Sequence, residues 1–350
     1  MAAPERVAIF RALMLGDMLC ATPALRAMRA AWPRARLTLV GLPWARELAQ
    51  RLPGVDDFEA FPGWPGLMEQ APAGADAGAA FLSRLRARHF DLAIQLHGSG
   101  GISNPLVARF GARRLAGFAG QGAWRPARDA ARFIPWPEQG QEIERLLSLT
   151  DHLGLPRCGL AMDLPVSRAD HERVRAWLPT GHAYAVVHAG ARWPSRRWPA
   201  RRFAAVADAL AAHGLRVVLT GTAGEREASL AVATAMAAPA LDLTGRTDLW
   251  TLAALVASAR LVVSNDTGVS HVAAALDTPS VVVACGSEVE RWAPLAHERH
   301  RVLWRDAPCR PCGEDHCTVG HGCARALGVE AVVHAALTRM EAGHDAAVAV

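Results

Sequence analysis

The sequence predicts an α/β protein of two Rossmann-like, doubly wound domains facing a cleft. Three observations lead there. Apolar strand-like runs alternate with helical patterns of roughly 10–15 residues, which is the signature of parallel βαβ units. The alternation fades over a Gly/Pro-rich stretch, 153–181, and then restarts. The 350 residues suffice for two cores at roughly 100–200 residues per domain.

The first domain, 1–165, opens with a short apolar strand at 6–10, a loop, and a helical pattern at 18–31. A strand at 37–41 and a helix at 44–51 follow, then a helix at 79–88 and a buried strand, DLAIQL, at 91–96. The Pro/Gly-rich stretch 61–78 reads as a long surface loop. The second domain, 166–325, repeats the pattern: strands at 184–188, 215–220, 241–243, 261–264 and 280–284, with helices at 200–213, 225–237 and 250–258. A final segment, 326–350, carries a helix at 328–342 that is expected to pack back across the domain boundary. In open α/β sheets the ligand lies beyond the carboxyl ends of the strands. That rule singles out the loops 11–17, 97–104, 189–198, 221–225, 265–271 and 285–292.

Composition narrows the function. No run of about 18 apolar residues exists to span a bilayer, and Arg11 and Asp17 interrupt any secretory core near the start, so a cytoplasmic protein is expected. All 38 basic residues are Arg, so every phosphate contact falls to a planar guanidinium. The net charge of +5 is spread without a basic stripe, which argues against a nucleic-acid partner. The mild excess lies in the first domain. It suits an anionic acceptor or a peripheral contact with the inner membrane, and equally a solvated face with no partner.

Three segments carry candidate chemistry. In SNDTGVSH, a strand runs into a helix: Asp266, Thr267 and Gly268 sit at the turn and His271 in the first helical turn. Free N–H groups and the helix dipole make such a turn an anion site; a capped helix with a buried His271 is the plain alternative. AGARWPSRRWP follows strand 184–188 and gathers Arg192, Arg196 and two Trp at a strand's carboxyl end, suiting a pyrophosphate beside an aromatic wall. The third, LMLGD, puts Gly16 and Asp17 in the loop after the first strand, where Asp17 can face the cleft, cap the following helix, or both. Dinucleotide-binding GxGxxG, Walker A and G-x-S-x-G patterns are absent.

Four runs, FRALMLGDMLCATPALRAMRAAWP, AGARWPSRRWPARRFAAVADAL, LTGTAGERE and SNDTGVSHVAAALDTPSVVV, together resemble glycosyltransferase family 9, the heptosyltransferases of lipopolysaccharide core assembly with the GT-B fold. The likeness spans roughly 6–325, and its four motifs stand in family order. It implies metal-independent, inverting heptose transfer from ADP-heptose to a sugar of the core or another lipid-linked acceptor, with no cofactor. Carried over by motif, Asp17 is the base and Arg196, where the family has Lys, contacts the donor phosphates. Gly16 and Arg192 flank the donor, Glu225 holds its nucleoside, and Asp266, Thr267, Gly268 and His271 form the donor-binding turn. Gln95, His97 and Gly98 fall where acceptor contacts are expected. Other nucleotide-sugars or acceptors, a non-catalytic nucleotide-sugar binder and an epimerase of the same fold are the alternatives.

Cys309, Cys312, Cys317 and Cys323 crowd one short loop. The C-x2-C pair is half of a tetrahedral thiolate site. A structural zinc or iron, free thiols and disulfides are all open readings.

Overall fold

The apolar runs become the inner strands of two parallel sheets. Parallel strands are covered on both faces, so their sequences read as near-continuous hydrophobic stretches. RVAIF is β1 (Arg6–Phe10) and LAIQ is β4 (Leu92–Gln95). Around them lie β2 (Arg36–Gly41), β3 (Asp57–Ala60), β5 (Arg114–Phe118) and β6 (Phe133–Ile134), in the order β3-β2-β1-β4-β5-β6. The second sheet comprises β7 (Tyr184–His188), β8 (Arg216–Leu219), β9 (Ala240–Asp242), β10 (Leu261–Asn265), β11 (Ser280–Val283) and β12 (His300–Leu303), in the order β12-β11-β10-β7-β8-β9. This computed structural model describes residues 3–178 and 183–348, so part of the Gly/Pro-rich stretch 153–181 lies outside the described residues. The chain divides into two compact units, Met1–Pro165 and Val166–Val350.

Each sheet has the same doubly wound order, and its direction reverses between β1 and β4 in the first unit and between β7 and β10 in the second. Crevices at such reversals are where open α/β sheets bind ligands. In the first unit Phe10, Phe61, Phe81 and Phe110 pack edge to face in the core. In the second, Trp198 and Phe203 pack with Val187, Val217 and Val263.

Several expectations are corrected. The helix expected at 18–31 is two, Leu15–Cys20 and Thr22–Ala31. Pro23 lacks an N–H, and its ring would meet the carbonyl four residues back in a continuous helix, so the chain restarts there with Pro23 in the first turn. The 61–78 stretch is not wholly a surface loop: Phe61 is fully buried, and a helix begins at Ala75. The Val329–Val348 helix joins the core of the second unit through Val332, Ala335 and Ala336. β3, β5, β6 and β12 carry no clear sequence signal, being short and edged with charged or polar residues.

Candidate functional site

In the first unit the site is built at the reversal between β1 and β4. β1 is followed by Arg11, whose main-chain N–H donates to the Val40 carbonyl at 3.0 Å and continues the ladder. Asp17 lies in the first turn of the Leu15–Cys20 helix, where a carboxylate is favoured by the dipole. The helix N-cap is Met14, so Asp17 is not the capping residue. Gly16 beside it is buried. The Asp17 carboxylate, about a quarter exposed, has Oδ1 3.8 Å from Arg11 Nη2.

β4 leads into Gln95, His97 and Gly98. The Gln95 side chain is fully buried and committed to the turn: Nε2 donates to the carbonyls of His97 (2.6 Å) and Gly98 (3.0 Å), and Oε1 accepts from the Phe118 N–H (3.1 Å). Gln95 therefore shapes the turn and does not reach outward. Gly98 takes φ +66°, a conformation other residues adopt at a cost. His97 stacks on Phe10 at 5.0 Å, and its Nδ1 accepts from the Ala12 N–H at 3.2 Å. That bond puts the ring proton on Nε2, which faces Glu69 at 3.7 Å. Burial, aided by the Arg11 cation, pushes the His97 pKa down to about 3, so the ring is neutral at neutral pH.

In the second unit, the loops after β7, β8 and β10 converge. Buried Asn265, the last residue of β10, ties two of them: its Nδ2 donates to the Ala189 carbonyl at 2.8 Å, and its Oδ1 accepts from the Trp198 N–H at 2.9 Å. Motif reading missed Asn265, because its partners lie 67 and 76 residues away. Trp198 is buried, while the Trp193 ring lies 5.5 Å from the Arg196 guanidinium. Arg196 Nη2 donates to the Cys312 carbonyl at 2.6 Å. Burial lowers its pKa and the nearby Asp266 opposes that shift. Arg192 is exposed on the same loop.

Thr267 is the N-cap of the Gly268–Ala275 helix, but its side chain makes no capping bond. Its hydroxyl is buried and has no hydrogen-bond partner among the described residues; the same holds for the hydroxyls of Ser264, in β10, and Ser287, after β11. Leaving such groups unmet costs about 1–3 kcal/mol each, and a helix N-terminus with open N–H groups favours an anion. His271 is buried, with its ring edge-on to Trp292 at 6.0 Å, and serves the packing of that helix.

Glu225 closes the site from the loop after β8. Its Oε2 accepts from the Thr222 N–H (2.8 Å) and hydroxyl (2.9 Å) and lies 3.8 Å from His188 Nε2. Burial disfavours the carboxylate, but His188 and Thr222 outweigh it and hold the pKa down to about 2. A Cβ on Gly190 would stand 2.5 Å from the Glu225 carboxyl group, so only glycine allows this approach.

The Cys309–Cys323 loop departs from the metal-site expectation. Among the described residues no group of three or more His, Cys, Asp or Glu is arranged to hold a metal ion, so the structural zinc or iron is not supported. Its thiols serve separate neighbours. Cys323 faces the core, Cys317 Sγ accepts from the His321 N–H at 3.0 Å, and Cys309 is exposed. All four are free thiols. The loop's main chain instead straps the site: Ser195 N–H and Oγ donate to the Asp315 (2.9 Å) and Glu314 (2.6 Å) carbonyls, and the Cys312 N–H donates to the Gly286 carbonyl at 2.7 Å.

Each doubly wound unit thus gathers polar groups at its sheet reversal, the Asp17 carboxylate in the first and the uncapped Thr267 turn in the second. Residues 79–322 match glycosyltransferase family 9 (heptosyltransferase). The chain belongs to that family and is a glycosyltransferase. It is 27% identical over 303 residues to lipopolysaccharide heptosyltransferase 2 of Salmonella typhimurium, covering 81% of this chain and 84% of that one. The E. coli ADP-heptose lps heptosyltransferase II superposes with a TM-score of 0.76 at 21% identity over 97% of this chain and 99% of that one. The E. coli heptosyltransferase WaaC with ADP superposes with a TM-score of 0.66 at 24% identity, covering 94% and 98%. Among the described residues no helix is long and apolar enough to cross a membrane.

Proposed function

We propose that this chain transfers a heptose from ADP-heptose to a saccharide of the lipopolysaccharide core, with inversion at the anomeric carbon. The observation that carries the donor half is the uncapped turn at Thr267 and Gly268, with an orphaned buried hydroxyl, beside a loop bearing Arg196. These groups suit the diphosphate, and Glu225 with the glycine-lined approach at Gly190 suits the nucleoside. Relatives named as lipopolysaccharide heptosyltransferases, and a family structure solved with ADP, support the same substrates.

In this reading the acceptor hydroxyl oxygen attacks the anomeric carbon as the bond to the diphosphate oxygen breaks. Asp17 takes the hydroxyl proton during attack. Arg196 and the helix N-terminus receive the charge that develops on the departing ADP. The reaction needs no metal for these steps. His97 and Gly98, after β4, are read as acceptor-side residues, and an anionic acceptor suits the basic excess of the first unit.

The test is ADP release from ADP-heptose with and without heptose-deficient lipopolysaccharide. Release that requires the acceptor supports transfer. Binding of ADP-heptose with no release under either condition would overturn it in favour of a binding protein.

A further inference from the structure

The Arg11 side chain is 1% exposed and stands where β1 ends. Its guanidinium is divided among three segments. Nε donates to the Asp17 carbonyl at 2.9 Å, Nη1 to the Leu96 carbonyl at 2.5 Å, and Nη2 to Glu142 Oε1 at 3.0 Å. Glu142, also 1% exposed, opens the Glu142–His152 helix, 131 residues away in the chain. One cation thus ties together the Asp17 turn, the end of β4 and a distant helix.

Burying such a pair is expensive, and apolar side chains of similar volume would often hold the core as well. The geometry gives the pair a different use. The bond from Nε goes to the main chain of Asp17 itself, which fixes the base of that side chain. Nη2 also faces the Asp17 carboxylate at 3.8 Å, an ion pair that holds the two side chains toward each other.

We propose that Arg11 is a positioning residue for Asp17, held in place by its buried pairing with Glu142. This rests on the reading of Asp17 as the base. Lys at position 11 would keep the charge but could not span three acceptors, since an ammonium lacks the planar fork. Gln at position 142 would keep the shape and remove the charge that anchors Arg11.

The experiment measures kcat, acceptor KM and ADP affinity in the full chain with ADP-heptose and heptose-deficient lipopolysaccharide. The variants are Arg11→Lys, Glu142→Gln, Asp17→Asn and the double variant Arg11→Lys/Asp17→Asn. Arg11→Lys and Glu142→Gln are expected to lower kcat about tenfold while ADP affinity stays within about twofold, because the loss falls on the chemical step. In the Asp17→Asn background, Arg11→Lys should change the residual rate by less than about twofold, since residues acting as a unit are not additive. Equal loss from Arg11→Lys in both backgrounds, or native kcat in a folded Arg11→Lys protein, would overturn the proposal and leave the base reading standing. Native turnover of Asp17→Asn alone would instead refute the base, and the positioning role would fall with it. If Arg11→Lys fails to bind ADP, Glu142→Gln decides the matter: an unchanged kcat there sinks the proposal.

Discussion

The Arg196 guanidinium donates to the Cys312 carbonyl at 2.6 Å, across 116 residues of sequence. The bond fixes one edge of a flexible side chain and leaves the cation beside the Asp266 turn. Arg196→Ala is expected to weaken ADP binding by about 1.5–3 kcal/mol, the range for a hydrogen bond to a charged group, read by calorimetry. Arg196→Lys should recover part of this, since it restores charge without the fork. Equal ADP affinity in Arg196→Ala and native protein would remove Arg196 from the donor site.

Asp17→Asn tests the base directly. Asp17 stands in the first turn and is not the N-cap, so Asn leaves the cap intact and gives up a dipole interaction of about 0.3–1 kcal/mol together with the ion pair to Arg11. A positioned base contributes about 10²–10⁴-fold to rate. The expected outcome is a folded protein with native ADP affinity and a kcat lower by about two decades or more. Near-native turnover would exclude the role.

Gly190→Ala places a methyl 2.5 Å from the Glu225 carboxyl group. That group is the end of a flexible side chain, so Glu225 should swing away and the fold should survive. ADP affinity is expected to fall about tenfold, as when one charge-assisted contact is lost, and the melting temperature to fall as well, because Glu225 gives up its bonds from Thr222. Unchanged affinity would mean that Glu225 does not touch the donor.

Glu225 also predicts a pH dependence. Its pKa is lowered from 4.5 to about 2 in the folded protein. A depressed carboxylate stabilises the fold fully above its unfolded value and loses that contribution as pH falls through the folded one. Native protein should therefore exceed Glu225→Gln in stability above about pH 5. The gap, read by denaturant unfolding, should shrink progressively below that, and a gap that widens on acidification would contradict the assignment.

Thiol reactivity should follow exposure. Cys309 is exposed, whereas burial, reinforced by the neighbouring Cys323, pushes the Cys285 thiol up to about 12. Only thiolates react appreciably. A maleimide at neutral pH should modify Cys309 in the folded protein and reach Cys285 and Cys20 only after denaturation, as mass mapping would show. Early labelling of Cys285 would contradict its placement.

The inner strands were legible because burial on both faces leaves unbroken runs such as RVAIF, YAVVH and LVVSN. Asp17 and Arg196 stood out as candidates because they lie in or near the loops that follow such strands, where a doubly wound sheet places its ligands. Edge strands such as DFEA and HRVL were not, since one open flank admits charged residues and blurs the pattern.

By itself, then, the sequence determined two wound sheets and the family whose motifs stand in order along them. Only the tertiary structure decided how those side chains are held. Asn265 bridges loops 76 residues apart, Arg11 meets Glu142 across 131, and the Cys loop serves as a main-chain strap where a metal was a candidate. Such pairings depend on which segments the folded sheets bring within about 3 Å, and hydrogen-bond geometry at that range leaves no periodicity in the chain.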